Sequence, residues 1–397
     1  MRQVRDYLRA DGPEAERRLA PLATRSPAEL ERALRRLLAD PSFWRSSGVS
    51  PATGLLPGQS IQVGNRTHRY GLYVPSSYRP ERAYPLMLCL HGAGFNGDSY
   101  LERWQPRLGE EYLLACPSIE GGAWWTREGE ALVLAVLDEV MRRYRVDPDR
   151  VALTGMSNGG LGAYLVGLYH ADRFAGLAPM AAPFPRGFYP LFENGRHTPF
   201  YLIHGEQDQV IPVFYSRDAA DYLRREGYAV VYREHGQVHP MAGGHFFPRD
   251  ELPQLVDWLH TQQRAPRPDR VVAVLDRDHT GRFHWIRLDA IDPAVASFWS
   301  SEQNAEEARR LEAGVYARLS AQVRDNDITV ETTGVHRYTL LLSPDLVDLS
   351  RPVRVTTNGR VSFDGPPVPD SRLLLEEARR RLDPSRLVWA EITIDVP

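Results

Sequence analysis

The chain has 397 residues, of which 43% are hydrophobic and 25% charged, and its formal net charge is −3. A single hydrophobic core rarely grows to this size, so we expect more than one domain. A nearly neutral charge gives no electrostatic reason to expect nucleic acid or acidic lipid as a partner. No apolar run approaches the length that a membrane span needs.

The N-terminal part of the sequence has helical spacing. Its first segment, MRQVRDYLRADGPEAERRLAPL, lacks the apolar stretch of a secretory signal, which favours a cytoplasmic location. In SPAELERALRRLLADPSFW, Ser26 can cap a helix, Pro27 fits its first turn and Glu29 completes a capping box. We expect residues 1–59 to form a helical extension that packs on the next domain.

Residues 60–265 alternate between strand and helix patterns. The segment IQVGNRTHRYGLYV predicts a hairpin that turns at Gly64 and Asn65. Short apolar runs follow, and several of them are separated by amphipathic helices: YPLMLCLH, YLLACPS, RVALTG, GLAPMAA, PFYLIHG and AVVYREH. Continuous apolar strands between helices predict an α/β domain with a mostly parallel sheet flanked by helices.

The segment RAPRPDR (264–270) interrupts this alternation and is typical of a linker. Beyond it, residues 269–397 are rich in short strand patterns, with turn signals at 325–327 and at Asn358-Gly359. One helix, SRLLLEEARRRL, precedes a last strand, LVWAEITIDV. This pattern predicts a β-sandwich-like accessory domain.

The strongest chemical signal is GMSNG at 155–159, between the strand RVALT and the apolar helix LGAYLVGLYH. A serine on such a strand–turn–helix corner is a nucleophile elbow, in which the hydroxyl is exposed above the sheet. Glycines flank the serine because larger side chains would clash with neighbouring backbone. Ser157 is therefore the candidate nucleophile.

A serine hydroxyl needs a base to take its proton, and the base needs a carboxylate to orient it. Asp208 follows the apolar strand of LIHGEQDQVIPV, at the sheet edge where active sites lie, with Glu206 as the nearby substitute. Two histidines follow the last core strand. We favour His245, in a Gly-Gly-His loop before the final helix, while His239 remains the alternative base.

Two further histidines are weaker candidates. His235 still lies within the last strand pattern, and His204 belongs to the strand end before the acid, where a structural role is expected.

The tetrahedral intermediate of acyl transfer needs backbone donors for its oxyanion. One is expected from Asn158, directly after the nucleophile, and the other from the loop after PLMLCLH. In that loop Ala93 is the favoured donor and Gly94 the alternative, whereas His91 shapes the loop.

The segments DPDRVALTGMSNGGLGAY, LCLHGAG and HGEQDQVIPV resemble the α/β-hydrolase superfamily. Within it, the chain is most similar to the phospholipase/carboxylesterase, feruloyl-esterase and polyhydroxybutyrate-depolymerase-like branch, over about 70–265. The resemblance implies a triad of Ser157, Asp208 and His245, with Ala93 and Asn158 at the oxyanion positions.

The segment GGHFFPRDELPQLVDWL is similar to the one that carries the catalytic histidine in these enzymes. The longer EHGQVHPMAGG stretch before it departs from the family pattern, which keeps His239 open. The C-terminal part is similar to an accessory domain of predicted bacterial hydrolases, a resemblance that implies no activity.

Aromatic residues near the predicted site suggest an apolar or aromatic ester as substrate. We expect Trp124, Trp125 and Phe188 to contact it, with His239 at the rim if it is not the base. The spacing of histidines and cysteines fits no metal site, and no phosphate-binding loop occurs, so neither a metal nor another cofactor is expected.

The sequence thus predicts a serine carboxylesterase that acts through an acyl-enzyme on a small-molecule or polymeric ester. One alternative is a peptidase or amidase of the prolyl-oligopeptidase type, which shares the triad. A second alternative is a polymer- or sugar-binding protein with a vestigial triad. The sequence gives no indication of the oligomeric state.

Overall fold

The computed structural model describes residues 1–45, 52–121, 123–277, 281–297 and 304–397. Four short helices form the N-terminal extension: α1 (Arg2–Arg9), α2 (Gly12–Leu22), α3 (Pro27–Ala39) and α4 (Pro41–Trp44). As the capping pattern predicts, the Ser26 hydroxyl accepts a hydrogen bond from the Glu29 amide at the start of α3.

An eight-stranded sheet follows. Its strands are β1 (Gly54–Val63), β2 (Arg66–Val74), β3 (Tyr84–Leu90), β4 (Leu113–Ser118), β5 (Val146–Met156), β6 (Gly176–Met180), β7 (Phe200–Gly205) and β8 (Val230–His235). Their order across the sheet is β1-β2-β4-β3-β5-β6-β7-β8. In this order, the strands β4, β3, β5, β6, β7 and β8 run parallel, while β1 and β2 are antiparallel at one edge.

The predicted hairpin is the antiparallel edge. Val63 pairs with Arg66 around the turn, where Gly64 has a φ of +56° that suits glycine. Strand β1 begins at Gly54, so the boundary that we placed between 1–59 and 60–265 falls inside a strand of the sheet.

Helices cover both faces of this sheet. They are α5 (Gly97–Leu108), α6 (Arg127–Arg143), α7 (Asn158–Tyr169), α8 (Phe214–Arg225) and α9 (Leu252–His260). Every residue of β3 and β7 is buried, as expected for parallel strands with helices on each side. All of α7 after Asn158 is buried too, which explains why its sequence is apolar around the whole helix.

The C-terminal region contains two smaller sheets. The strands are β9 (Arg270–Leu275), β10 (Gly281–Phe283), β11 (Ile286–Ile291), β12 (Ala317–Arg324), β13 (Asp327–Thr333), β14 (Val335–Leu342), β15 (Val353–Thr357), β16 (Arg360–Gly365) and β17 (Ala390–Asp395). One sheet has the order β10-β11-β14-β17 and the other β16-β15-β13-β12-β9. The predicted α/β unit with a β-rich region after it is confirmed.

Two helices accompany these sheets. The predicted one is α11 (Ser371–Arg381), and α10 (Asn304–Glu312) was not predicted, because it is short and mostly charged. Helix α11 completes the hydrophobic cluster of the N-terminal extension, where Leu374 and Leu375 pack with Leu30 and Leu34. The two ends of the chain therefore share one core.

Buried ion pairs join the C-terminal region to the eight-stranded domain. Asp172 pairs with Arg386 and lies 3.5 Å from Arg381; the side chains of Asp172 and Arg386 are almost fully buried, and that of Arg381 is 14% exposed. Burial alone would raise the pKa of Asp172, but the guanidinium groups of Arg386 and Arg381 outweigh it and hold this pKa well below its ordinary value.

Among the described residues, no helix is both long enough and apolar enough to cross a membrane.

We expect Asp172→Ala to lower the free energy of unfolding by about 3–5 kcal/mol, because Arg386 would keep a buried charge without its partner. Urea denaturation of the full chain measures the change. Asp364→Ala is the matched control, since its pair with Arg354 is half-exposed and should contribute less than about 1 kcal/mol. Equal losses in the two variants would contradict the importance of this buried pair.

Candidate active site

Ser157 lies at the sharp turn between β5 and α7. Its backbone has φ +59° and ψ −119°, a conformation that costs energy for any residue other than glycine. The turn is held by a 2.9 Å hydrogen bond from the Ser157 amide to the Met180 carbonyl on β6. This position places the serine at the carboxyl edge of the sheet, as a nucleophile elbow does.

The glycines on either side of Ser157 are required by close backbone approach. A Cβ atom on Gly155 would lie 2.1 Å from the Gly159 carbonyl oxygen, and one on Gly159 would lie 2.1 Å from the Leu90 carbonyl oxygen. Real Cβ atoms do not come this close to backbone, so both positions exclude larger residues. The crossing of β3, β5 and α7 therefore depends on these two glycines.

The structure brings His245 between the serine and the aspartate. Its Nε2 lies 3.0 Å from Ser157 Oγ, and its Nδ1 lies 2.7 Å from Asp208 Oδ2. Both distances are within hydrogen-bond reach, and the chain order is Ser, Asp, His. This arrangement allows Nδ1–H to donate to the carboxylate while Nε2 accepts the serine proton.

The Gly243-Gly244 pair explains how this histidine is positioned. A Cβ atom on Gly243 would lie 2.1 Å from the Gln207 carbonyl oxygen, and one on Gly244 would lie 2.9 Å from the Gly205 Cα. The loop at Gly243-Gly244 thus packs directly against the backbone that follows β7, which is the segment that carries Asp208. His245 is the residue directly after Gly244, so this contact positions it.

Asp208 is held as a carboxylate by four donors. Its Oδ1 accepts hydrogen bonds from the amides of Val210 (2.8 Å) and Ile211 (2.7 Å). Its Oδ2 faces His245 and lies 3.2 Å from His204 Nε2. Burial alone would raise the pKa of Asp208, but His204, His245 and the two amides outweigh it and hold this pKa well below its ordinary value.

The sequence predicted a structural role for His204 but not its contact with Asp208. His204 is fully buried, its Nδ1 lies 2.7 Å from Ser216 Oγ, and its Nε2 lies 2.9 Å from the Ile211 carbonyl oxygen. These partners suit an Nε2–H that donates and an Nδ1 that accepts. The available signal was its spacing of four residues before Asp208, at the end of an apolar strand.

The alternative acid and base lie apart from this arrangement. His239 is exposed, and its Nδ1 accepts a 3.3 Å hydrogen bond from the Met241 amide within a tight turn. Glu206 is exposed as well; its amide donates to the His235 carbonyl at 2.9 Å, but within the described ranges its carboxylate has no hydrogen bond or ion pair with a histidine. His235 is buried beside Phe246, with ring centroids 5.2 Å apart.

The loop after β3 lies against the serine. A Cβ atom on Gly92 would be 3.5 Å from Ser157 Cβ, and the Gly92 amide donates to the Tyr100 hydroxyl at 3.1 Å. His91 Nε2 accepts from the Ile119 amide at 3.1 Å, so its Nδ1–H is free to donate to the Gly92 carbonyl oxygen. Burial lowers the pKa of His91, which suits this neutral structural role.

The predicted oxyanion donors come from two different elements, the start of α7 and the loop after β3. The Asn158 amide is the first of α7 and has no acceptor within the helix, as is general for helix N-termini. Ala93 and Gly94 both lie on the exposed part of the loop after Gly92, so either amide can face a substrate. The choice of Ala93 stays a prediction.

Two residues that we expected to touch the substrate are packed in the interior. Trp124 is 0% exposed and Phe188 1% exposed, which leaves them no surface for a ligand. Trp124 Nε1 donates to the His91 carbonyl at 3.0 Å, and Phe188 packs against Phe184. Trp125 is 7% exposed. We therefore assign Trp124 and Phe188 to packing. The prediction failed because sequence position does not reveal which way an aromatic side chain points.

Within the described ranges, no group of three or more histidine, cysteine or acidic side chains could hold a metal ion.

The sheet order and the strained serine between β5 and α7 define an α/β-hydrolase fold. No family model matches the sequence. The chain is 26% identical over 170 residues to a bifunctional acetylxylan esterase/xylanase of Neocallimastix patriciarum, covering 41% of this chain and 23% of that protein. It is 30% identical over 170 residues to NocK of Nocardia uniformis subsp. tsuyamanensis, which is named as an esterase, covering 39% of this chain and 49% of that protein.

The chain thus spans half or less of the length of these curated relatives. A solved thermostable esterase has a TM-score of 0.45 at 24% identity, over 53% of this chain and 63% of that chain. The strand order and the sequence matches carry the fold assignment. The fold is that of an α/β-hydrolase and the sequence is similar to those of esterases, as its motifs indicated.

We expect Gly159→Ala to reduce hydrolytic turnover at least about 100-fold, because the added Cβ must push α7 away from the Leu90 carbonyl and displace the Asn158 amide. The measurement is kcat on a chromogenic ester together with thermal unfolding. Gly365→Ala in β16 is the control, since its nearest neighbour would be an ordinary 3.8 Å contact. Unchanged kcat in Gly159→Ala would show that the close approach is not required.

Proposed function

We propose that this protein hydrolyses carboxylic esters through an acyl-enzyme formed on Ser157. The observation that carries the proposal is His245, whose two ring nitrogens lie within hydrogen-bond distance of the serine hydroxyl and of Asp208. A general base that is hydrogen-bonded to both a strained serine and a buried carboxylate is the arrangement that activates a hydroxyl nucleophile.

In the first half of the reaction, Ser157 Oγ attacks the ester carbonyl carbon and its proton passes to His245 Nε2. The negative charge on the carbonyl oxygen is stabilised by the amides of Asn158 and Ala93. The imidazolium then gives its proton to the leaving alkoxide, and the alcohol departs as the acyl-enzyme forms. The negative charge of Asp208 stabilises the imidazolium throughout.

In the second half, water takes the place of the alcohol. His245 removes a proton from water, the hydroxide attacks the acyl carbon, and the serine leaves with the proton that the imidazolium returns. The products are a carboxylic acid and an alcohol, and the protein regains its starting state without a metal or other cofactor.

Ester cleavage is preferred to peptide cleavage because of both the site and the relatives. Two curated relatives carry esterase names, one of them an acetylxylan esterase. The loops that carry the triad and the oxyanion donors also bear exposed apolar side chains, namely Phe95, Val210 and Met241. We propose that these side chains, together with the edge of Trp125, contact an apolar or aromatic group of the ester.

We expect Ser157→Ala and His245→Ala each to reduce turnover of p-nitrophenyl acetate by a factor of about 10³ or more, because either change removes the activated nucleophile. His239→Ala should stay within about threefold of the unchanged protein. A fluorophosphonate probe should label the unchanged protein and His239→Ala, but not Ser157→Ala. Loss of activity in His239→Ala with retention in His245→Ala would reverse the assignment of the base.

We also expect a substrate panel to separate the proposed activity from its two alternatives. Feruloyl, acetyl-sugar and aliphatic esters should be cleaved at least about 100-fold faster, in kcat/KM, than peptide p-nitroanilides with comparable side chains. Faster cleavage of the anilides would indicate a peptidase. Absence of both turnover and fluorophosphonate labelling would indicate a binding protein with an inactive triad.

A further inference from the structure

Two residues of the C-terminal region reach into the catalytic domain directly after strand β9. These residues are Asp276 and Arg277, and both are almost fully buried. They contact the start of α6 and the end of α7. A dipeptide of the accessory region therefore packs against α7, which begins after Ser157, and against α6, which follows Trp125.

Arg277 contacts the start of α6 and the loop before it. Its guanidinium forms a buried ion pair with Glu130 and donates a 3.2 Å hydrogen bond to the Trp125 carbonyl. It also lies 3.9 Å above the ring of Tyr169, the last residue of α7. The planar guanidinium suits these three contacts, which differ in direction.

The Trp125 backbone is connected to the oxyanion loop through its neighbour. The Trp124 indole donates to the His91 carbonyl at 3.0 Å, directly before Gly92 and Ala93. The Trp124 side chain packs directly on α7 at Gly162, where a Cβ would lie 2.3 Å from the Trp124 Cβ. The position of the Trp125 carbonyl therefore affects where the His91 carbonyl and the next amides lie.

Asp276 holds the other helix. The Tyr169 hydroxyl donates a hydrogen bond to its carboxylate. Burial and the neighbouring Asp276 charge raise the pKa of Tyr169 well above its ordinary value, so the phenol stays protonated and remains a donor. Because α7 begins directly after Ser157, the dipeptide fixes the far end of the helix that carries the nucleophile.

We propose that Arg277 is a positioning residue for the oxyanion hole, so that the accessory region completes the active site of the catalytic domain. The proposed effect on catalysis rests on the proposed ester hydrolysis, whereas the proposed effect on the position of residues 91–97 does not. Loss of the guanidinium should loosen residues 91–97 and misplace one oxyanion donor. A displaced donor lowers kcat more than it raises KM, since it acts on the charge that develops in the transition state.

The test compares three variants of the full chain. Arg277→Met removes the guanidinium but leaves Glu130 buried without this partner. The double variant Glu130→Gln/Arg277→Met removes that charge as well, and so separates stability from positioning. The matched control is Arg386→Met, which breaks another buried ion pair between the same two regions, that with Asp172; in the described ranges neither residue has a hydrogen bond or ion pair with residues 91–97.

We expect Arg277→Met and the double variant to lower kcat on p-nitrophenyl acetate about 10- to 100-fold, with KM within about twofold. The end-point of fluorophosphonate labelling gives the concentration of intact sites. Arg386→Met should lower the melting temperature and leave kcat per labelled site within about twofold. Full kcat in a stable double variant would overturn the proposal.

Amide hydrogen exchange supplies a readout that does not depend on any substrate. Peptides covering 91–97 should exchange faster in Arg277→Met and in the double variant than in the unchanged protein or Arg386→Met. Unaltered exchange there would overturn the proposal even if the protein hydrolyses esters. Faster exchange in a protein that cleaves no ester would retain the structural coupling and reject only the proposed function.

Discussion

The active site depends on how closely β3, β5 and α7 approach one another around Ser157. A Cβ atom at 155 or 159 would lie only 2.1 Å from a backbone carbonyl oxygen, so only glycine fits at either position. This contact places the serine in a strained conformation and brings the loop after β3 against it. Strain of this kind persists only where surrounding structure fixes it, and here the fixing elements are the buried strands of the parallel sheet.

Much of this could be predicted, because the relevant constraints are local. A run of small residues between an apolar strand and an apolar helix indicates the elbow, and an acidic residue after a later strand indicates the acid. These patterns predicted the fold and placed Ser157 and Asp208 on the correct elements. The boundary of the extension was less predictable, because β1 has an alternating half-exposed pattern that resembles a loop until it is paired with β2.

Contacts between distant segments were not predictable in the same way. The sequence offered two candidate bases after β8, His245 and His239. What distinguishes them is the packing of Gly243 and Gly244 against the backbone after β7, which sequence patterns do not show. The aromatic residues show the same limit. Trp124 lies in the expected loop, but its indole points inward to the His91 carbonyl, a direction set by the fit against α7 and not by its neighbours in the chain.

Arg277 and Glu130 lie 147 residues apart, and no pattern in either segment pairs them. Their contact nevertheless connects the accessory region to the elements that hold the proposed nucleophile and the proposed oxyanion donors. A buried charge pair contributes little net stability compared with apolar packing, so its value here is geometric. A guanidinium that must satisfy a carboxylate, a carbonyl and an aromatic face together permits few arrangements of the helices around it. That restriction gives a catalytic domain a physical reason to retain its β-rich neighbour.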